Sequence, residues 1–429
     1  MISPRCVALG LVLSASGWSA APPNYDESKV GNLPLPDPLR GEEGTPIRDA
    51  LGWRERRRPE LLELFAREVY GRTPAGRPPA MHAQVTSIDR AALGGTATRK
   101  EITVWFTAGS EGPRMHLLVY QPNGSGAPWP VFLGLNYFGN HCVHQDPGIT
   151  RSTAWMRTSP EQHVVNNRAT EASRGGHASR WNIEKVIARG YATATVYYGD
   201  LCPDRDDGME EAVGALFTSG SVNRRPPDGW GSIGIWAWGL SRALDWIESD
   251  PQLDAKRVAV HGHSRLGKTA LWAAAQDERF ALVISNNSGA GGAALAKRIY
   301  GETIAISNSR HSTPWYALNY RKYNDREDAL PVDQHELLAL IAPRPLYVAS
   351  AIEDRGADPK GEFLSLWHAQ PVYRLYGERG LGAAELPPVD RPLRGDLLGY
   401  HVRSGQHDIT PADWEQFLEF ADRHLRKGR

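Results

Sequence analysis

Ser264 lies within HGHSRLGKTALWAAA, residues 261–275. The apolar run RVAV leads into it, and small residues at helical spacing follow. This pattern suits a serine on a sharp strand-to-helix turn, and also a serine that merely caps a helix. A serine hydroxyl is too weak an acid to attack a carbonyl unaided. A histidine must take its proton, and a carboxylate must orient that histidine. His407, in RSGQHDITPADW, sits after a strand-like run and directly before the last helix. Glu353 and Asp354 end the strand-like PLYVASAIED. Asp354 is the favoured acid and Glu353 the alternative. The backbone N–H following the serine, that of Arg265, is the expected first oxyanion donor. The Arg265 guanidinium either adds a charged donor or forms a salt bridge. Together these residues predict acyl transfer through a serine nucleophile.

The elements around them set the fold class. Along the chain the order is serine, acid, histidine, which is the order of the α/β-hydrolases. Gly262 permits the tight turn before Ser264, while Leu266 stands where G-x-S-x-G has its second glycine and Gly267 comes one later. An amphipathic helix is predicted within 56–72. The stretches MHAQVTSI, KEITVWFTA and MHLLVYQP, separated by turn-rich sequence, predict an antiparallel meander. From PVFLGLNYFG onward, apolar strand-like runs alternate with helices, which predicts βαβ units and a mainly parallel sheet. Thr410, Pro411 and Asp413 signal the start of the last helix. Its stripe of Trp414, Phe417, Leu418, Ala421 and Leu425 is core. The expected architecture is an α/β-hydrolase three-layer sandwich with an N-terminal antiparallel extension.

Composition narrows the function. The 429 residues carry 49 Lys plus Arg and 49 Asp plus Glu. That balance gives no electrostatic case for nucleic acid or a membrane surface. Residues 1–21 read as a secretory signal peptide, with Arg5 as its positive start, an apolar stretch over 6–15 and small residues at 19–21. A secreted or periplasmic protein is expected. Residues 22–50 read as an extended arm and 51–429 as a single catalytic domain. Cys142 and Cys202 either pair or remain as buried thiols. NHCVH lacks partners at ligand spacing, so no metal is expected. SGAGGAA lacks a following Gly-Lys-Ser/Thr, so it is a close-packed turn rather than a phosphate loop. Fourteen tryptophans are mostly core residues, although an exposed one would suit a carbohydrate.

The segment GHSRLGKTALWAAAQDERFALVISNNSGAGGAAL, followed by GETI, resembles the glucuronoyl esterases, especially their bacterial branch. LGLNYFGNH, YYGDLCPD, SAIEDRGADPKGEF, GQHDITPADW and RRPELLELFAREVYGR extend the resemblance over most of the mature chain. It implies a secreted esterase that cleaves (4-O-methyl-)glucuronic acid esters joining xylan to lignin alcohols, without a cofactor. Glucuronoxylan and lignin-carbohydrate esters are its implied partners, and a monomer is expected. The resemblance implies Ser264 as nucleophile, His407 as base and Arg265 as oxyanion stabiliser. It also implies that Lys268 and Glu302 hydrogen-bond the sugar hydroxyls. Two positions depart from the family pattern. Asn287 stands where fungal relatives place the catalytic glutamate, which moves the acid to the later loop. Gly356 stands where a tryptophan often contacts the sugar. An esterase for acetyl or feruloyl xylan, or a non-catalytic carbohydrate-binding protein on the same fold, are the competing expectations.

Overall fold

The computed structural model describes residues 20–31, 34–205, 207–217, 225–309 and 315–426. All but the last two residues of the predicted signal segment lie outside these.

Ten strands form one sheet. In chain order they are β1 (His82–Ala92), β2 (Ala97–Trp105), β3 (Arg114–Pro122), β4 (Trp129–Asn136), β5 (Ala192–Tyr197), β6 (Leu253–His263), β7 (Leu282–Asn286), β8 (Leu346–Ala351), β9 (Leu393–Arg394) and β10 (Leu398–Arg403). Their order across the sheet is β1-β2-β3-β5-β4-β6-β7-β8-β10-β9. The run β5-β4-β6-β7-β8-β10 is parallel throughout. The β1-β2-β3 meander joins β5 antiparallel and forms the predicted extension.

The parallel strands read as continuous apolar runs because both faces are covered. Side chains alternate between faces along each strand. Val131, Leu133, Val258 and Val260 enter one core with the helices α1 (Ser232–Ile247) and α2 (Arg265–Gln276). Their neighbours Phe132 and Ala259 enter the opposite core with Trp414 and Phe417 of α3 (Pro411–Leu425). The predicted stripe on α3 is thus buried, and a side chain such as Phe417 or Leu418 contributes roughly 1.5–3 kcal/mol by leaving water.

The Thr410 hydroxyl accepts from the Asp413 N–H, and the Asp413 carboxylate accepts from the Thr410 N–H at 2.7 Å. This reciprocal cap fixes where α3 begins, and hence where the loop carrying His407 ends. Cys142 and Cys202 are separate buried thiols. Burial pushes each up to about 12. Of the two expectations for these cysteines, the structure holds the unpaired one. No helix among the described residues is long and apolar enough to cross a membrane.

Candidate active site

The turn between β6 and α2 places Ser264 at φ 56°, ψ −131°. A non-glycine residue there costs on the order of 1–3 kcal/mol and persists only where its surroundings hold it. Three backbone bonds do so. The Ser264 N–H donates to Asn286 O at 2.9 Å, and Ser264 O accepts from the N–H groups of Gly267 and Lys268 at 2.8 and 3.1 Å. Gly262 is obligatory, since a Cβ there would lie 2.0 Å from Leu266 O. The displaced glycine also has its use. A Cβ on Gly267 would lie 3.0 Å from both Gly262 O and Ser288 Cβ, so this residue lets α2 approach the sheet closely. Nothing comparable is required at Leu266, a core side chain.

His407 stands in the loop between β10 and α3. Its Nδ1 is 2.5 Å from Asp354 Oδ2. Arg403, at the end of β10, donates to Gln406 O at 3.1 Å and Asp408 O at 2.6 Å, gripping the loop on both sides of His407. The Arg403 guanidinium is itself held by buried Asp413 at 2.8 Å. The cap of α3 and the placement of His407 therefore share one carboxylate.

Asp354 follows β8. Asn287 Nδ2 donates to the same Asp354 oxygen at 2.9 Å. Burial raises the Asp354 carboxyl, but the bonds from His407 and Asn287 outweigh it and hold the group below the ordinary carboxylate range. Glu353 is exposed and lies outside the cavity described below; its N–H pairs with Gly405 O at 3.2 Å. Of the two acids left open by the sequence, Asp354 is the one against the histidine. Asn287, at the fungal glutamate's position, touches that acid and anchors it.

Ser264, His407 and Asp354 line one cavity of about 290 Å³, together with Arg265, Lys268, Glu302 and Trp315. This is near the small end of ligand pockets, about 300–1,000 Å³. A larger cavity of about 910 Å³ beside β1–β3 contains none of the seven.

The Arg265 guanidinium is 3.1 Å from buried Asp204 and within 5.1–5.6 Å of the ring centres of Tyr137, Tyr198 and Trp315. The salt-bridge reading of Arg265 is thus observed, and the residue also lines the cavity. Its Nε is buried without a hydrogen-bond acceptor. Asp204 also accepts from Trp315 Nε1 at 2.9 Å, so one carboxylate fixes two cavity walls. Lys268 is buried on the same helix, with Nζ donating to Ala290 O and 3.5 Å from Glu302. Burial lowers its ammonium, and Glu302 opposes that effect. The Glu302 N–H donates to Gly356 O at 2.9 Å, which ties the carboxylate's loop to the loop of Asp354.

Three residues escaped the sequence reading. Trp315 is the aromatic wall, although Gly356 occupies the expected tryptophan position. Asp204 ends the YYGDLCPD segment that carries part of the resemblance, but the sequence reading gave it no role. His263, inside the quoted motif, packs against His407 at a tilt of 41° with ring centres 4.4 Å apart, and bonds Asn286 at 2.6 Å. Burial, reinforced by His407 and Arg180, holds His263 well below the ordinary imidazole range, so it packs as a neutral ring. Among the described residues, no group of three or more His, Cys, Asp or Glu could hold a metal ion.

The family model "Glucuronyl esterase, fungi" matches residues 221–377. The carbohydrate esterase MZ0003, from an unknown prokaryotic organism, is 43% identical over 99% of both chains. The solved glucuronoyl esterase of Solibacter usitatus is 46% identical with a TM-score of 0.87, covering 93% of this chain and 100% of that one. A promiscuous CE15 esterase from a marine bacterial metagenome is 44% identical with a TM-score of 0.87, covering 94% and 100%. The fungal 4-O-methyl-glucuronoyl methylesterase of Schizophyllum commune is more distant, at 26% identity over 82% of this chain and 75% of that one. With relatives 43–46% identical along nearly its whole length and solved structures that share its fold, the chain belongs to carbohydrate esterase family 15, the glucuronoyl esterases, in its bacterial branch.

Proposed function

We propose that this protein is an exported serine esterase that hydrolyses esters of (4-O-methyl-)glucuronic acid on xylan with lignin alcohols. The observation that carries the reading is the shared cavity. The Ser264, His407 and Asp354 set opens onto the same small space as Lys268, Glu302 and Trp315. An ammonium and a carboxylate side by side satisfy both the acceptors and the donors of a sugar's hydroxyls.

In this reading the Ser264 Oγ attacks the uronate carbonyl carbon while His407 takes the hydroxyl proton. Asp354 holds the imidazole with Nδ1 as donor, leaving Nε2 to work. The developing oxyanion is met by the Arg265 backbone N–H and guanidinium. Asp204 keeps that guanidinium fixed before charge develops, which is when preorganised donors are most effective. His407 then returns the proton to the leaving alcohol, and the uronate remains on Ser264 as an ester. Water, deprotonated by His407, attacks that ester and releases the free acid. None of these steps uses a cofactor. Residues 1–21 serve as the export signal in this account, and residues 51–429 as one catalytic unit.

The sugar lies on the acyl side of the scissile bond, so specificity rests on Lys268. Lys268→Met is expected to lower kcat/KM for benzyl glucuronate by about tenfold or more, since a hydrogen bond to a charged group contributes roughly 1.5–3 kcal/mol. It should leave a simple acetyl ester almost unaffected. Steady-state rates on both esters check this, and equal losses on the two would remove Lys268 from sugar recognition.

A further inference from the structure

We infer that the N-terminal arm is part of the active-site scaffold, its residues 24–27 locking together the loop that carries Asp354 and the loop that carries Glu302. This rests on the functional reading above. The sequence marked the segment only as an extended arm, yet it docks at one place. The Gly301 N–H donates to Asn24 O at 2.9 Å, and Asn24 Nδ2 donates to Ile299 O at 3.2 Å. Both contacts hold the segment immediately before Glu302. Arg355, next in sequence to Asp354, donates to Tyr25 O, and its guanidinium lies 4.8 Å from the Tyr25 ring centre. Tyr25 in turn meets the Tyr300 ring edge-on at 6.0 Å. Glu27 pairs with Arg298 and, at 2.6 Å, with Lys360. Arg298 also holds buried Asp358 at 2.8 Å.

The arm thus makes separate contacts with residues on each side of the junction. The junction itself is tight. Gly301 has φ +64°, and a Cβ there would lie 2.6 Å from the carbonyl oxygens of both Arg355 and Gly356. The Glu302 N–H closes onto Gly356 O across the same seam. The two loops also bridge each other directly, through the buried Arg298–Asp358 pair and through Arg355 Nε donating to the Tyr300 hydroxyl at 3.3 Å, but much of each loop is solvent-facing, and segments with few buried contacts open at low free-energy cost. The arm adds a second set of contacts from outside, to Ile299 and Gly301 on one side and to Arg355 and Lys360 on the other. Because Asp354 orients His407 and Glu302 faces the sugar, loosening the seam affects both turnover and uronate binding. Residues 24–27 are positioning residues, and none of them lines the cavity.

The test compares the mature chain with a version lacking residues 22–31. It measures kcat and KM on benzyl glucuronate, and hydrogen exchange of the amides in 299–302 and 353–358. The expected result is a folded protein with kcat lowered at least tenfold, KM raised severalfold and faster exchange confined to those two segments. A synthetic peptide covering 22–31 should restore activity in a saturable manner. A folded deletion variant with unchanged kcat, KM and exchange would overturn the inference. If the deletion variant does not fold, Tyr25→Ala with Glu27→Gln in the full chain is read the same way, and unchanged exchange and kinetics there overturn it equally. Hydrogen exchange separates this inference from the substrate assignment. If the full chain proves inactive on glucuronate esters while the seam still loosens without the arm, the substrate reading fails and the scaffold role stands.

Discussion

Ser264→Ala is expected to lower kcat on benzyl glucuronate by on the order of 10⁴–10⁶-fold, the scale found when a nucleophile acting as part of a unit is removed. The loss should fall on kcat with KM little changed, because the sugar contacts from Lys268 and Glu302 do not involve the hydroxyl. Folding should survive. The strained turn is held by the Ser264 backbone, through bonds to Asn286, Gly267 and Lys268, and by Gly262, none of which needs the side-chain oxygen. The residual rate belongs to binding and to the Arg265 donors. Rates measured with matched circular dichroism check both statements. A variant that keeps most of its turnover would remove Ser264 from the chemistry, and since its side chain makes no capping bond it would be left without a role.

Asp354→Asn is expected to cost about 10³–10⁴-fold in kcat, since an asparagine fails to hold the imidazole in the tautomer that leaves Nε2 free. The sequence offers a rival in Glu353, but that residue is exposed and does not line the cavity. Glu353→Gln should therefore change kcat less than twofold. The same substitution at Asp354 has a signature in stability. The folded carboxyl is held below the ordinary value by His407 and Asn287 against the opposing effect of burial. Its stabilisation is therefore present above the unfolded value of about 3.9 and is lost as pH falls through the lower folded value. Denaturation midpoints of the wild type should fall more steeply below pH 4 than those of Asp354→Asn. Equal acid profiles would mean that the pair contributes nothing to folding.

Much of this site was legible because local sequence encodes the turns that carry it. Ser264 was marked by a glycine, a preceding apolar run and the small residues of α2. His407 was marked by the capping residues of the next helix. The α/β alternation and the antiparallel meander were visible as changes in hydrophobic period. Asp354 was favoured over Glu353 but Glu353 stayed open, because adjacent residues in a loop leaving a strand differ only in direction, and backbone geometry sets that. Asp204 and Trp315 were missed for another reason. They meet across 111 positions of chain, and neither one aspartate at the end of YYGDLCPD nor one tryptophan among fourteen announces such a contact. The arm is the extreme case, with partners 271–333 positions away. Its proline- and charge-rich composition reads as solvated chain, while its docking depends on loops that take shape only when the sheet has formed.

The most direct test of the account is a comparison of kcat/KM for benzyl glucuronate, methyl galacturonate and an acetylated xylo-oligosaccharide with the wild-type protein. The account predicts a clear preference for the glucuronate, because Lys268 and Glu302 are placed to read the hydroxyls of the acyl-side sugar. A preference for the acetyl ester would contradict it, leaving the fold, the elbow and the Asp354–His407 pair to an esterase that reads a different acyl group.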